Sequence, residues 1–215
     1  MPHTDLYAVD FETICTQWEG GTLDQSPLID FLMNYSGKGT PNFIRDGHTS
    51  AKHDWYNTCF VAPDITRDRM VDQVANIIGF NLIHGIGRTN YWAIRQYVEP
   101  ETLGTTAYGM PLAAEYRFFY HNGEITHVQP YWCPENVDTQ VTLDQLKSGY
   151  ELLDQMIEIP KEIAMRVGRL IATEYPSWSI DVMLTKKGDW LFIDAARAEQ
   201  SFRWSGKWDQ KEVTN

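Results

Sequence analysis

Apolar residues recur at helical spacing in three segments of the chain, and each segment is predicted to form a helix. The first predicted helix spans Asp64–Ile78, with Asp64 or Thr66 capping its N-terminus. The second spans Leu143–Met156 and the third spans Lys161–Tyr175. In each segment the apolar residues lie near one face, as in helices that pack on a core.

Two β-hairpins are the best-defined local features of the sequence. The first turns at His121-Asn122-Gly123, where Asn-Gly supplies the positive φ angles that a tight turn needs. The second turns at Lys186-Lys187-Gly188-Asp189 and is predicted to be of the same kind. The strands that flank these turns are Glu115–Tyr120 with Glu124–Gln129, and Ser179–Thr185 with Trp190–Ala195.

The remaining strands are predicted in the first hundred residues. They are Leu6–Val9, Asn42–Arg45, Asn57–Ala62 and Trp92–Val98. The rest of the first forty residues is rich in glycine and is predicted as loops and short elements. Strands and one helix are thus followed by hairpin, helices and hairpin, which indicates an α+β fold rather than strict βαβ alternation.

Composition and charge narrow the classes of function. The chain has 215 residues, of which 43% are apolar and 22% charged, as in an ordinary folded protein. Its formal net charge is −11, so no nucleic-acid partner is expected, because phosphate backbones are held by basic surfaces. No apolar stretch reaches membrane-spanning length and no secretory signal is visible, so no membrane association is expected. Three scattered cysteines support neither a disulfide framework nor a zinc site, and the expected location is cytoplasmic.

Two cations flank a turn that contains a glycine. Arg45 ends a predicted strand, and Lys52 follows the turn around Gly47. Two cations with backbone N–H groups between them suit the phosphates of a nucleotide. The alternative is an exposed hairpin tip whose cations are merely solvated, and this segment taken alone favours that alternative.

An apolar strand with an acidic exit follows at Tyr91–Glu101. Such a strand offers backbone N–H and C=O groups to the edge of an adenine, and Glu99 or Glu101 is placed to hold ribose hydroxyls. The alternative is a buried core strand with a charged end.

Charged residues also lie within the strands of both hairpins. Glu115 and Arg117 share one face of their strand and would look at a cleft or form a surface ion pair. Asp181 and Asp194 lie in strongly apolar strands, where an unpaired carboxylate is costly. If they are neighbours across the hairpin they repel, and Mg²⁺ would relieve the repulsion; a purely structural role for each aspartate stays equally open.

The order of these features resembles the ATP-grasp superfamily over about Pro41 to Trp204. It is similar to the divergent clade in which an arginine replaces the first phosphate-binding lysine, and which includes the eukaryotic cell-division-cycle family that helps assemble a translation initiation factor. The resemblance implies two α+β lobes whose antiparallel sheets hold ATP between them. It divides the chain into a short N-terminal segment (1–40), a small lobe (41–95), a large lobe (96–208) and a tail (209–215).

The resemblance also implies roles for individual residues. Arg45 and Lys52 would contact the ATP phosphates, with Lys52 and Arg117 acting in catalysis. Gln96, Tyr97 and Val98 would form the adenine hinge, with Glu99 near the ribose. Asp181 and Asp194 would bind Mg²⁺. The family's last metal motif places an asparagine where this chain has Ala196, so a ligand would be missing or supplied elsewhere, for example by Glu199.

The function that the resemblance implies is ATP- and Mg²⁺-dependent ligation of a small-molecule or peptide carboxylate to an amine through an acyl phosphate. The altered metal motif and the short N-terminal segment favour an alternative, an ATP-binding protein that does not ligate and docks onto a protein partner. A third possibility from another class is an ATP-independent binding domain with an aromatic pocket.

Overall fold

A computed structural model describes residues 2–36, 39–49, 51–86, 89–133 and 143–205. The chain divides into two compact units. The first comprises Pro2–Val98 with Tyr108–Met110, and the second comprises Glu99–Ala107 and the residues from Pro111 onward. The predicted tail, residues 209–215, lies outside the described residues.

The first unit is built on a four-stranded antiparallel sheet. Its strands are β1 (Thr4–Ala8), β2 (Asn42–Asp46), β3 (Phe60–Val61) and β4 (Tyr91–Gln96). Their order in the sheet is β1-β4-β2-β3. Its helices are α1 (Phe11–Glu19), α2 (Pro27–Ser36) and α3 (Arg67–His84), with short 3-10 turns at Leu23–Gln25 and Lys52–Asn57. One face of the sheet and the apolar sides of the helices share a core that includes Leu28, Leu32, Ile44, Val74, Ile77 and Ile94.

Helix α3 forms where the periodicity predicts a helix, but it continues past the predicted end at Ile78 to His84. Its ends are set by local signals. The Thr66 side chain caps the N-terminus by accepting from the Arg69 N–H, and Gly85 ends the helix in a left-handed conformation. Met70 and Val74 are fully buried, so the apolar stripe faces the core as predicted. The helix thereby fixes the side of the sheet that is covered.

The second unit pairs a four-stranded antiparallel sheet with two helices among its described residues. The elements are β5 (Thr102–Thr105), β6 (Pro111–Ala113), β7 (Glu115–His121), β8 (Glu124–Pro130), α4 (Leu143–Leu153), α5 (Glu158–Ile171), β9 (Ser177–Leu184) and β10 (Trp190–Arg197). The sheet order is β10-β9-β7-β8, and β5 and β6 form a separate two-stranded sheet. Both predicted hairpins are present, and Asn122, Gly123 and Gly188 have the positive φ angles that their turns require.

Several predicted elements differ from the observed ones. The predicted strand Asn57–Ala62 is wrong over most of its length, because the chain closes a 3-10 turn up to Asn57 and only Phe60–Val61 pairs with β2. The first forty residues were predicted as loops and short elements, yet they form α1 and α2. The signals for these helices are local, since the Asp10 side chain accepts from the Thr13 N–H and the Ser26 hydroxyl accepts from the Leu28 N–H. No helix among the described residues combines the length and apolarity needed to span a membrane.

Helix α5 lies so close to the sheet that there is little room for a side chain at Gly168. A Cβ added at Gly168 would stand 2.4 Å from Cδ2 of the buried Tyr120 ring. We therefore expect Gly168→Ala to lower the free energy of unfolding by about 1–3 kcal/mol, although alanine is the better helix former by about 1 kcal/mol. Urea titration measures the effect.

Gly79 provides the matched control, because it is also helical and a Cβ there would meet nothing within 4 Å. Gly79→Ala should raise stability by about 0.5–1 kcal/mol. Equal effects at the two glycines would contradict the close approach of α5 to Tyr120.

Candidate functional site

A row of polar residues crosses one face of the second unit's sheet. Gln129 on β8 lies opposite Arg117 on β7. Arg117 lies opposite Asp181 on β9, which in turn lies opposite Asp194 on β10. Tyr120, on the other face of β7, packs on α5, so the polar row lies on the face that α5 does not cover.

Arg117 and Asp181 form a buried, two-pronged ion pair. Arg117 Nε donates to Asp181 Oδ1 and Nη2 donates to Oδ2, each at 2.8 Å. The side chains are only 15% and 8% exposed, respectively. Burial lowers the pKa of Arg117, but the hydrogen bonds and charge of Asp181 outweigh burial and raise the pKa above its ordinary value. The guanidinium therefore stays charged, and it neutralises Asp181.

The two aspartates predicted to bind metal are direct cross-strand neighbours. Their repulsion is relieved by Arg117, so no metal is needed to balance the charge of Asp181. Asp194 Oδ1 accepts from the Ala195 N–H at 3.0 Å. Among the described residues no group of three or more His, Cys, Asp or Glu side chains is placed to hold a metal ion. Glu199, the predicted substitute ligand, is exposed in a 3-10 turn after β10.

The carboxylate oxygens of Asp181 and Asp194 nevertheless fit Mg²⁺ that is also coordinated by phosphate oxygens. Mg²⁺ commonly takes one or two carboxylates and completes its shell with phosphate and water. Each carboxylate oxygen has two lone pairs, so an oxygen of Asp181 that accepts from Arg117 keeps one for a metal. Asp194 adds oxygen donors at the adjacent position. The fit depends on the two aspartates acting together.

A segment near the end of the described chain, Ser201–Trp204, crosses the same face. The Gln129 side chain binds it at two points, accepting from the Trp204 N–H at 3.0 Å and donating to the Phe202 carbonyl at 3.3 Å. Arg117 Nη1 donates to the same carbonyl at 3.4 Å. The Trp204 indole is buried and donates to the Pro130 carbonyl. This segment therefore holds the third nitrogen of Arg117 in place.

Sequence reasoning missed Gln129 and Tyr131 as parts of this site. The Tyr131 ring lies 4.8 Å from the Arg117 guanidinium carbon, a cation–π distance. Gln129 is 1% exposed in the structure, but the sequence shows only a polar residue at the end of a predicted strand, which is no signal of burial. The hydrogen-bond partners of Trp204 are more than seventy residues away, so no local pattern could identify them.

The two predicted phosphate-binding cations, Arg45 and Lys52, lie in the first unit on either side of a turn at Asp46–Thr49. Arg45 on β2 lies opposite Ala93 on β4, and Ala93 lies opposite the exposed Leu6 on β1, so Arg45 is on the sheet face that the core does not use. Arg45 Nε donates to the Asp46 carbonyl at 3.1 Å. Lys52 begins the 3-10 turn that follows.

Two of the three backbone N–H groups of the predicted adenine hinge already donate hydrogen bonds within the protein. The Gln96 N–H donates to the His3 carbonyl and the Tyr97 N–H donates to the Pro41 carbonyl. The Tyr97 ring packs edge-on against Trp55. Val98 donates no backbone hydrogen bond to any described residue, which makes it the hinge position with a donor to offer.

Glu99, the predicted ribose ligand, forms an exposed ion pair with Lys186 across the second unit. Both side chains are 62% exposed, so the pair contributes little stability and can open for a ligand. The predicted residues thus fall into two groups. Arg117, Asp181, Asp194 and Glu99 belong to the second unit, and Arg45, Lys52 and Gln96–Val98 belong to the first.

The model of a known domain family, the ATP-grasp domain of R-2-K clade family 3, matches residues 36–211. The chain belongs to this ATP-grasp family. The predicted α+β ATP-grasp fold is confirmed, as is the resemblance to a divergent clade. No curated protein sequence matches the chain significantly.

Several solved structures are similar to this chain. Truncated Cdc123 from Schizosaccharomyces pombe is 12% identical with a TM-score of 0.49, over 92% of this chain and 78% of that one. The D-cycloserine synthetase DcsG is 10% identical with a TM-score of 0.41, over 91% of this chain and 56% of that one. D-alanyl-alanine synthetase A from Vibrio cholerae is 14% identical with a TM-score of 0.41, over 92% of this chain and 50% of that one. This ATP-grasp chain thus spans only about half the length of these two synthetases, and such low similarity assigns it no substrate.

Proposed function

We propose that this ATP-grasp chain is an ATP- and Mg²⁺-dependent ligase that joins a carboxylate to an amine. The observation that carries the proposal is the row of Arg117, Asp181 and Asp194 on the uncovered face of the second unit's sheet. It places one cation and two carboxylates side by side, which suits a metal-bound polyphosphate. Membership of the ATP-grasp family supports ATP as that polyphosphate.

In this proposal the first unit supplies the contacts to the phosphates and the adenine of the nucleotide. Arg45 and Lys52 pair with phosphate oxygens, the Val98 N–H meets the adenine edge, and Glu99 exchanges Lys186 for ribose hydroxyls. Charge-assisted hydrogen bonds to phosphate are the strongest of these contacts. The chain's negative charge does not oppose them, because distant charges are screened within about 10 Å at 0.1 M salt.

Asp181 and Asp194 would hold Mg²⁺, which when bound withdraws charge from the phosphate oxygens. A substrate carboxylate oxygen attacks the γ-phosphorus, ADP leaves, and an acyl phosphate forms. The amine nitrogen then attacks the acyl carbon, phosphate leaves with the bonding electrons, and the nitrogen loses a proton. Arg117 stabilises charge that develops on the transferred group, and its orientation is fixed beforehand by Asp181 and the Phe202 carbonyl.

A second candidate function is an ATP-binding protein that does not ligate and docks onto a protein partner. The observation in its favour is that both oxygens of Asp181 are already held by Arg117, while the family's asparagine is replaced by Ala196. Binding of ATP without turnover would follow if Arg117 never leaves Asp181.

Calorimetric titration with ATP, with and without Mg²⁺, tests nucleotide binding. We expect binding that strengthens with Mg²⁺ and weakens at least about tenfold in Lys52→Ala, since a charge-assisted contact is worth roughly 1.5–3 kcal/mol. Asp194→Ala should remove most of the Mg²⁺ dependence. Lys161→Ala is the matched control, because Lys161 pairs with Glu158 on the exposed side of α5 and should leave binding unchanged.

The outcomes separate the candidate functions. Folded wild-type protein that binds no ATP, or Lys52→Ala that binds as tightly as wild type, contradicts the proposed site. If ATP binds, phosphate release is measured with mixtures of carboxylates and amines. Release that requires both substrates supports the ligase, and binding without release under every mixture supports the docking protein.

A further inference from the structure

The turn that separates Arg45 from Lys52 is built around a buried carboxylate. Asp46, at the end of β2, is 1% exposed. Its Oδ1 accepts from the His48 N–H at 2.8 Å and from the Thr49 N–H at 2.6 Å, and its own N–H donates to the Thr49 carbonyl. These bonds close a tight turn over Asp46–Thr49, of the kind that aspartate side chains form with the backbone two or three residues ahead.

Helix α3 ties this turn to the core of the first unit. Asn81 of α3 is 2% exposed, and its Nδ2 donates to Asp46 Oδ2. No described residue forms a salt bridge with Asp46. Asn81 Oδ1 is buried with no hydrogen-bond partner in the described protein. This unpaired buried acceptor costs folding free energy. The Asp46–Asn81 pair is therefore not explained by stability of the fold alone.

Packing around the turn leaves it little room to move. A Cβ at Gly47 would stand 2.1 Å from Thr89 Oγ1, so any larger residue would force the Thr89 side chain, just before β4, to shift. On the far side, the Ala51 N–H donates to Thr49 Oγ1 and the Thr58 hydroxyl donates to the Ala51 carbonyl. Lys52 follows directly.

We propose that Asp46 and Asn81 are positioning residues that set the placement of Arg45 and Lys52 for the phosphates of ATP. The role rests on the proposed binding of ATP by those two cations. Because this turn is fixed before ATP binds, less conformational entropy is lost on binding. Asp46 and Asn81 therefore raise the affinity for ATP without contacting it. The sign of the effect is diagnostic. Removing the negative charge of Asp46 beside a phosphate site should strengthen binding by electrostatics alone, whereas loss of the anchor weakens it.

The test compares ATP and adenosine binding by calorimetry in four variants. Asp46→Ala and Asn81→Ala should each weaken ATP binding about tenfold, while adenosine binding, which needs no phosphate contact, stays unchanged. Asp46→Asn should retain ATP affinity or raise it by up to about twofold. Asn81 can turn its amide so that the unpaired Oδ1 accepts from the new side chain, and the negative charge beside the phosphates is lost. Asp54→Ala is the control, since it removes an exposed carboxylate from the same segment without touching the turn.

Hydrogen exchange of the His48 and Thr49 amides, followed without ATP, reports the anchor independently of function. Protection in wild type that Asp46→Ala removes is expected. Unchanged exchange, or lost protection with unchanged ATP affinity, overturns the positioning role. A parallel fall in ATP and adenosine affinity also overturns it, because that marks general loss of structure. If the wild-type amides are protected but the protein does not bind ATP, the proposed function is wrong. The positioning role, which depends on that function, is then wrong as well.

Discussion

Arg117→Met should lower the free energy of unfolding by about 3–5 kcal/mol, because it leaves a buried carboxylate without its cation. Asp181 is 5% exposed and both of its oxygens accept from Arg117. Methionine keeps most of the apolar stem, so the loss reports the ion pair rather than packing. Urea titration followed by tryptophan fluorescence measures it.

Two further variants show whether the cost comes from the unpaired charge. Arg117→Met combined with Asp181→Leu should recover most of the lost stability, since removing both charges removes the desolvation penalty. Arg67→Met is the matched control, because Arg67 and Asp30 also lie 2.8 Å apart but are 40% and 59% exposed. It should cost about 1 kcal/mol or less. Similar losses at Arg67 and Arg117 would mean that the Arg117 pair is not shielded from water.

Trp204→Ala should destabilise the second unit by about 3–5 kcal/mol, the usual cost of deleting a buried tryptophan. The side chain is 4% exposed, and its indole N–H donates to the Pro130 carbonyl. The same variant should release Ser201–Trp204 from Gln129. We therefore expect a lower urea midpoint. We also expect faster hydrogen exchange at the backbone amide of residue 204, which donates to Gln129 in the wild type.

Phe202→Ala is the matched control from the same segment, because Phe202 is 49% exposed and contributes chiefly its backbone carbonyl. It should change stability by about 0.5 kcal/mol or less. Trp204→Phe separates packing from hydrogen bonding and should cost about 1–3 kcal/mol through the unpaired Pro130 carbonyl. If Phe202→Ala lowers the free energy of unfolding as much as Trp204→Ala does, the Trp204 side chain is not what holds Ser201–Trp204 in place.

The elements that the sequence predicted best are those specified by neighbouring residues. The Asn122-Gly123 turn and the stripe of α3 depend on backbone preference and spacing, which are visible in a short window. Helices α1 and α2 carried capping signals at Asp10 and Ser26, and reading these would have recovered them. The strand predicted from Asn57 failed because partner strands decide pairing, and only two residues find one there.

The candidate site follows the same division. The sequence alone determined that Arg117, Asp181 and Asp194 would lie in apolar strands and need partners, because an unpaired charge is costly there. It also determined the order of features that places the chain in the ATP-grasp family. Only the tertiary structure decided that Arg117 and Asp181 satisfy each other and that Gln129 holds a segment 75 residues away. Such pairings depend on strand register and chain crossing, which are set by the packing of the whole sheet rather than by any local pattern.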